Sequence, residues 1–180
     1  AKAMAAEGMR LTHIIGPNTP HRYHPDSKLV ISDVLDRIAE RGRDPYPKGV
    51  HFTTWTLRYN RMKWITVDGL DKHWARARID AEITSDNAVR IKAENVSAFS
   101  LDMGPGATLL DPAANVNVII NGQSVKVPGP MSDRSFSASL IRTAANQWSI
   151  ADPSSRQGLR KRHGLQGPVD DAFYDSFIFV

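Results

Sequence analysis

Hydrophobic positions follow a helical period up to residue 42 and a two-residue period after residue 49. Over residues 26–41, Val30, Ile31, Val34, Leu35 and Ile38 recur at three- and four-residue steps. This spacing predicts an amphipathic helix, with Asp26 or Ser27 as its cap and Gly42 as its stop. Residues 2–7 are rich in alanine and favour a first helix, with Gly8 suited to the left-handed position after the last turn. The short apolar run 11–15 reads as a buried strand, and a polar loop over 16–25 carries His21 and His24 from it to the second helix. Residues 43–49 hold two prolines and make the best boundary in the chain.

Beyond that boundary the alternation is strict. Ala75, Ala77, Ile79, Ala81 and Ile83 share one face of the run 74–84, with Arg76, Arg78, Asp80 and Glu82 on the other. Val89, Ile91 and Ala93 continue the apolar face over 88–94, against Arg90, Lys92 and Glu94. A three-residue loop, 85–87, pairs Thr84 with Ala88 and sets Glu82 across from Arg90, Asp80 from Lys92 and Arg78 from Glu94. A one-residue slip would bring charges opposite apolar residues, so this register is strongly specified. Ala77 and Ala81, small residues in the apolar row, suggest close approach by a facing sheet. A second hairpin is expected over 116–127 around Asn121-Gly122, with Val118 across from Val125 and Val116 from Val127. Further strands are expected at 50–57, 62–67, 96–101, 135–141 and 147–150, and Asp68-Gly-Leu70 and Gly104-Pro-Gly106 read as turns. Short strands at this spacing imply an antiparallel β-sandwich.

The fold class is therefore α+β, a helix–strand–helix followed by the sandwich. The expected organisation is 1–45, 46–151, and a basic loop opening a further segment at 152–180. One strand and two helices cannot bury a full core, so the first segment reads as the end of something larger. The absence of an initial Met and the final apolar run 176–180 point the same way.

Composition narrows the picture modestly. Of 180 residues, 41% are apolar and 23% charged, which is ordinary for a globular protein. A net charge of +4 is too small an excess to argue for nucleic acid. With no cysteine, disulfides and Cys-based zinc sites are excluded. No apolar run approaches the roughly 20 residues that span a bilayer.

The candidate chemistry centres on His21. An imidazole on a loop after a strand can act as general base and acid for a serine nucleophile, whereas a lone loop histidine is commonly just solvated. His21 and His24, with Asp26 as the nearest carboxylate, match no common zinc spacing. The cluster Lys161-Arg-His-Gly164, with Arg156 and Arg160, reads as a solvated loop or as a clasp on Asp170 and Asp171. It lacks the interleaved aromatics that a single-strand nucleic-acid binder wants. Trp55, Tyr59, Trp64 and Trp74 crowd together in sequence; the reading favours core packing over a sugar-stacking platform, except that alternation puts Trp74 on a charged face.

The run Gly16-Pro-Asn-Thr-Pro-His21-Arg-Tyr-His-Pro25, inside the segment 11–38, resembles the His loop and last helix of bacterial α/β-hydrolases of the prolyl-oligopeptidase type. Thr56-Leu-Arg-Tyr-Asn60, Val67-Asp-Gly-Leu70 and the segment 161–173 resemble the β-rich region that follows the hydrolase domain in large bacterial members. The resemblance covers nearly the whole chain. It implies that residues 1–45 are the C-terminal remnant of an α/β-hydrolase domain, that His21 is the triad histidine with His24 its neighbour, and that nucleophile and acid lie upstream of Ala1. Gly-x-Ser-x-Gly, the nucleophile elbow of such enzymes, is absent from the chain. The function so implied is a serine peptidase or esterase, inactive as this piece alone, with a peptide or ester substrate, no cofactor, and a secreted or periplasmic setting. Its partner is the upstream hydrolase domain of the same protein; neither nucleic acid nor a membrane span is expected. The alternative, from a different class, is a non-catalytic sandwich module that binds a glycan or protein through the 55–74 aromatics.

Overall fold

A computed structural model describes residues 2–85, 87–152, 161, 163 and 164. The chain divides into two compact units, Ala1–Asp44 and Pro45–Val180.

In the first unit, α1 (Lys2–Ala6) ends on Gly8 at φ 75°, and α2 (Pro25–Arg41) ends on Gly42 at φ 68°. The Gly42 N–H donates to the carbonyls of Ile38 and Ala39, satisfying two acceptors of the last turn. The cap is neither Asp26 nor Ser27. The helix starts one residue earlier, at Pro25, whose missing N–H costs nothing in the first turn, and His24 Nδ1 accepts the Asp26 N–H at 3.3 Å. Asp26 instead lies in the first turn, where a negative charge suits the helix dipole. Residues 11–15 form no strand. A strand needs a neighbour to complete its ladder, and the described part of this unit supplies none. Among the described residues of this unit only Ser27 is buried, while Leu11, Ile15, Leu29, Val30, Leu35 and Ile38 are exposed.

The second unit is built of strands, so the fold is α+β with its strands in two sheets. The first sheet comprises β1 (Gly49–Thr54), β4 (Ala77–Thr84), β5 (Ala88–Glu94), β7 (Val116–Ile120) and β8 (Gln123–Val127), in that spatial order. The second runs β10 (Trp148–Ile150), β9 (Phe136–Arg142), β6 (Val96–Met103), β3 (Ile65–Leu70) and β2 (Arg61–Met62). Their buried rows meet in one hydrophobic core, which includes Ile79, Val89 and Val118 from the first sheet and Val67, Phe99 and Leu140 from the second. Each such large side chain contributes roughly 1.5–3 kcal/mol when fully buried.

The β4–β5 register is the expected one: Thr84 pairs with Ala88, Glu82 with Arg90, Asp80 with Lys92 and Arg78 with Glu94. Val118 pairs with Val125 and Val116 with Val127 across Asn121 and Gly122, both at positive φ. Several boundaries differ. The first strand stops at Thr54, and Leu57 belongs to a short 3-10 turn, Leu57–Tyr59. The run expected at 62–67 is broken by Lys63 at φ 55°, which separates β2 from β3. Asp68-Gly-Leu70 is not a turn but part of β3, with the register shifting around Gly69. A Cβ at Gly69 would stand 2.6 Å from Ser97 Oγ, so a larger residue in the bulge would have to turn that hydroxyl aside. Trp74 lies outside β4, at φ 64°.

The sheets are not wholly antiparallel, because β5 and β7 pair in parallel. The chain leaves β5 for β6 in the other sheet and returns to the first sheet at β7, which runs alongside β5 in the same direction. A parallel pair requires a long crossover of this kind.

Candidate functional site

The His21 loop is shaped by short-range contacts. Thr19 Oγ1 donates to the Gly16 carbonyl at 3.2 Å, and Ser27 Oγ, on α2, donates to the Ile15 carbonyl at 3.4 Å. A Cβ at Gly16 would lie 3.0 Å from Thr19 Oγ1 and 3.3 Å from His24 Cβ, so the loop folds closely over its own stem there. His21 is exposed, and its imidazole has no hydrogen-bond partner among the described residues. His24 is engaged: its Nδ1 caps α2 and lies 3.7 Å from Asp26 Oδ2. The two histidines thus have different work, and among the described residues no group of three or more His, Asp or Glu is placed to hold a metal ion.

Two polar clusters lie on the sheets. Ser100 Oγ donates to Asp68 Oδ2 at 2.5 Å and sits 2.9 Å from Ser139 Oγ, linking β3, β6 and β9 by a chain of partly buried hydroxyls. On the other sheet His51 Nδ1 lies 2.6 Å from Asp80 Oδ1, and Arg78 Nε donates to Asp80 Oδ2 at 2.8 Å. Burial alone would raise the Asp80 carboxyl. The hydrogen bonds and charges of Arg78 and His51 outweigh it and hold the carboxyl below its ordinary value. The β4–β5 hairpin alone does not reveal this cluster, since His51 reaches Asp80 only through the β1–β4 pairing.

The aromatic group is split. Trp64 is fully buried in the core, with Nε1 donating to the Pro47 carbonyl at 2.8 Å, as core packing requires of an indole. Trp55, Tyr59 and Trp74 are exposed to 51%, 71% and 59%. The expectation of core packing is therefore corrected for Trp55 and Tyr59, while Trp74, the expected exception, is exposed, though in a turn before β4 rather than on its charged face. Trp55 and Tyr59 fall where β1 has given way to turns, so no facing sheet covers them, and Trp74 is turned outward by its left-handed backbone.

A frame of polar contacts fixes the turns that carry them. Thr54 Oγ1, buried, donates to Thr56 O or Tyr59 O, at 2.8 and 2.9 Å. The Trp74 N–H donates to the Trp55 carbonyl at 2.9 Å, joining the two segments. Asn95 Oδ1 accepts the Lys72 N–H at 2.8 Å, and its Nδ2 faces the carbonyls of Lys72, Ala75 and Arg76 at 2.9, 3.3 and 3.3 Å. Nothing in the local pattern marks Asn95 for this role beyond its position between two strands.

Lys161, His163 and Gly164 are exposed, and His163 Nδ1 lies 2.8 Å from the Leu57 carbonyl. The remainder of the expected basic cluster and clasp, Arg156, Arg160, Arg162, Asp170 and Asp171, lies outside the described residues, as does the run 176–180. His73 is held below the ordinary imidazole value, chiefly by burial and then by the charge of Lys161. His163 is thereby set against the turn at 57, and the charge of Lys161 is felt at the turn that bears His73. No helix among the described residues is long and apolar enough to cross a membrane.

No family model, curated protein or solved structure matches this chain.

Proposed function

We propose that this chain supplies the triad histidine, His21, to a serine hydrolase acting on peptide or ester bonds, with nucleophile and acid contributed from outside these residues, and that the β-sandwich is an appended region of the same enzyme. The observation that carries the proposal is the state of the first unit. A shaped loop presents an unengaged imidazole beside a helix whose apolar residues Val30, Leu35 and Ile38 are uncovered. Apolar residues in register on a helix are stabilising only when something covers them. A hydrolase sheet would cover this face and bring a serine hydroxyl within reach of His21. The imidazole then takes the serine proton as the acyl carbon is attacked and returns it to the leaving group. The resemblance of residues 16–25 to the His loop of prolyl-oligopeptidase-type enzymes supports the same assignment.

The test is labelling of the intact protein that contains this chain with a fluorophosphonate probe, followed by mapping of the modified serine. The modified residue is expected outside residues 1–180, and His21→Ala is expected to lower turnover by at least about a thousandfold. The 180-residue chain alone is expected not to turn over a nitrophenyl ester. A labelled serine within the chain, or turnover indifferent to His21→Ala, overturns the proposal.

A further inference from the structure

We propose that Trp55, Trp74 and Tyr59 form a binding platform for an acidic polysaccharide, one that carries carboxylates on pyranose rings. This surface belongs to the second unit and is independent of His21 and of the hydrolase reading.

Three things distinguish the surface from a scatter of exposed aromatics. First, the backbone that carries its rings is held by a frame. The Trp74 N–H is bound to the Trp55 carbonyl at 2.9 Å, Thr54 pins the turn that bears Tyr59, and Asn95 fastens both ends of the turn that bears Trp74. A fixed backbone leaves only the side-chain rotamers to be ordered when a ligand stacks on the rings. Second, Trp74 has φ 64°. A bulky residue in the left-handed region is strained, and it persists only where the surroundings impose it. Glycine or asparagine would occupy the position at lower cost, and what the tryptophan adds there is an indole face turned to solvent.

Third, the charge around the rings is positive. Arg58, Lys72 and Lys161 border these turns, and the carboxylates of Asp71 and Glu94 are paired with Arg142 and Arg76. The Arg58 guanidinium lies 6.0 Å from the Tyr59 ring centroid. His163 Nδ1, 2.8 Å from the Leu57 carbonyl, reaches the same turns, and the charge of Lys161 helps lower the His73 imidazole after burial. Exposed aromatic faces bordered by cations match a sugar ring, which presents C–H groups on its face and carboxylates at its edge. A single-stranded nucleic acid also stacks on aromatics, but it needs a basic track for successive phosphates. Away from these turns, the outward face of β4 and β5 alternates in sign, with Asp80 across from Lys92 and Glu82 from Arg90.

The test uses the full 180-residue chain and tryptophan emission, titrated with a polygalacturonate hexamer, a neutral cellohexaose and oligo-dT. Trp64 and Trp148 are buried and remain as internal reporters of the fold. The acidic hexamer is expected to shift the emission, with an affinity that falls as salt is raised and that exceeds the affinity for cellohexaose at least tenfold. Trp55→Ala and Lys161→Glu are each expected to weaken binding tenfold or more. Trp74→Gly suits the left-handed backbone and keeps the fold, and it is expected to lose binding to the same degree with an unchanged near-ultraviolet circular dichroism from the core. The proposal is overturned by no binding of the acidic hexamer, by equal binding of the neutral glycan, by tighter binding of oligo-dT, or by variants that bind like the parent.

Discussion

His51 Nδ1 lies 2.6 Å from Asp80 Oδ1, so Asp80 is met from the neighbouring strand β1. Arg78, two residues away on the same strand, takes its other oxygen. Lys92 is the residue across from Asp80 in the hairpin, yet it is not the partner that sets the carboxyl. Asp80 is only partly exposed, and its lowered pKa makes it a source of stability at neutral pH. A carboxyl depressed in the folded state stabilises fully above its unfolded value, here 3.8, and loses that contribution as pH falls through the folded value. Asp80→Asn is expected to cost about 1 kcal/mol at pH 7. The difference from the parent should shrink as pH is lowered past 3.8. Thermal melts of both proteins across pH check this, and parallel curves at all pH would refute it.

The register of β4 and β5 makes a sharp contrast between neighbours. Ile91 is buried and Lys92 exposed. Ile91→Asp places an unpaired charge in the shared core, costs several kcal/mol and is expected to abolish the cooperative urea transition. Lys92→Ala is expected to move the midpoint by no more than about 0.5 kcal/mol. Equal tolerance of the two changes would mean that the alternation does not face the core as described.

Asn95 sits at φ 54°, so an alanine there would confound lost hydrogen bonds with backbone strain. Asn95→Gly keeps the conformation and removes the contacts to Lys72, Ala75 and Arg76. The expected loss is about 1–2 kcal/mol. Hydrogen exchange should become faster at the Lys72 and Trp74 amides while the β6–β9 amides stay protected. Unchanged exchange at Trp74 would show that its bond to Trp55 does not depend on this frame.

Burial and Lys161 together hold His73 below 6.5. Lys161→Ala removes the smaller cause, so the His73 titration followed by NMR should move up, toward that value but short of it. The folded state resists protonating this ring, so its contribution to stability is present above pH 6.5 and declines as pH falls below it, less steeply in the variant. A titration unmoved by the substitution would place Lys161 away from the turn.

Both hairpins and α2 were legible because each is written in contiguous residues. Alternation decides which side of β4 and β5 meets the core, and Asn121-Gly122 supplies the positive φ angles its turn demands. The His21 loop was legible as a loop. Its internal fastening by Thr19 and Ser27, and the use of His24 as cap, follow from where Pro25 lets the helix begin.

The local elements, the faces they bury and the change from helical to strand period are written in contiguous residues, because side-chain periodicity is a property of the backbone conformation alone. Tertiary structure decided the rest. The run 11–15 is apolar like a strand but finds no ladder in its unit. The excursion of β6 into the second sheet turns β5 and β7 parallel. Trp64 enters the core while Trp55 and Trp74 stay outside, since the end of β1 and the left-handed turn at Trp74 carry those indoles past the edge of the packed layer. Partners such as His51 and Asp80, or Asn95 and Lys72, lie more than twenty residues apart, and their meeting depends on which strands pair, which no local pattern encodes.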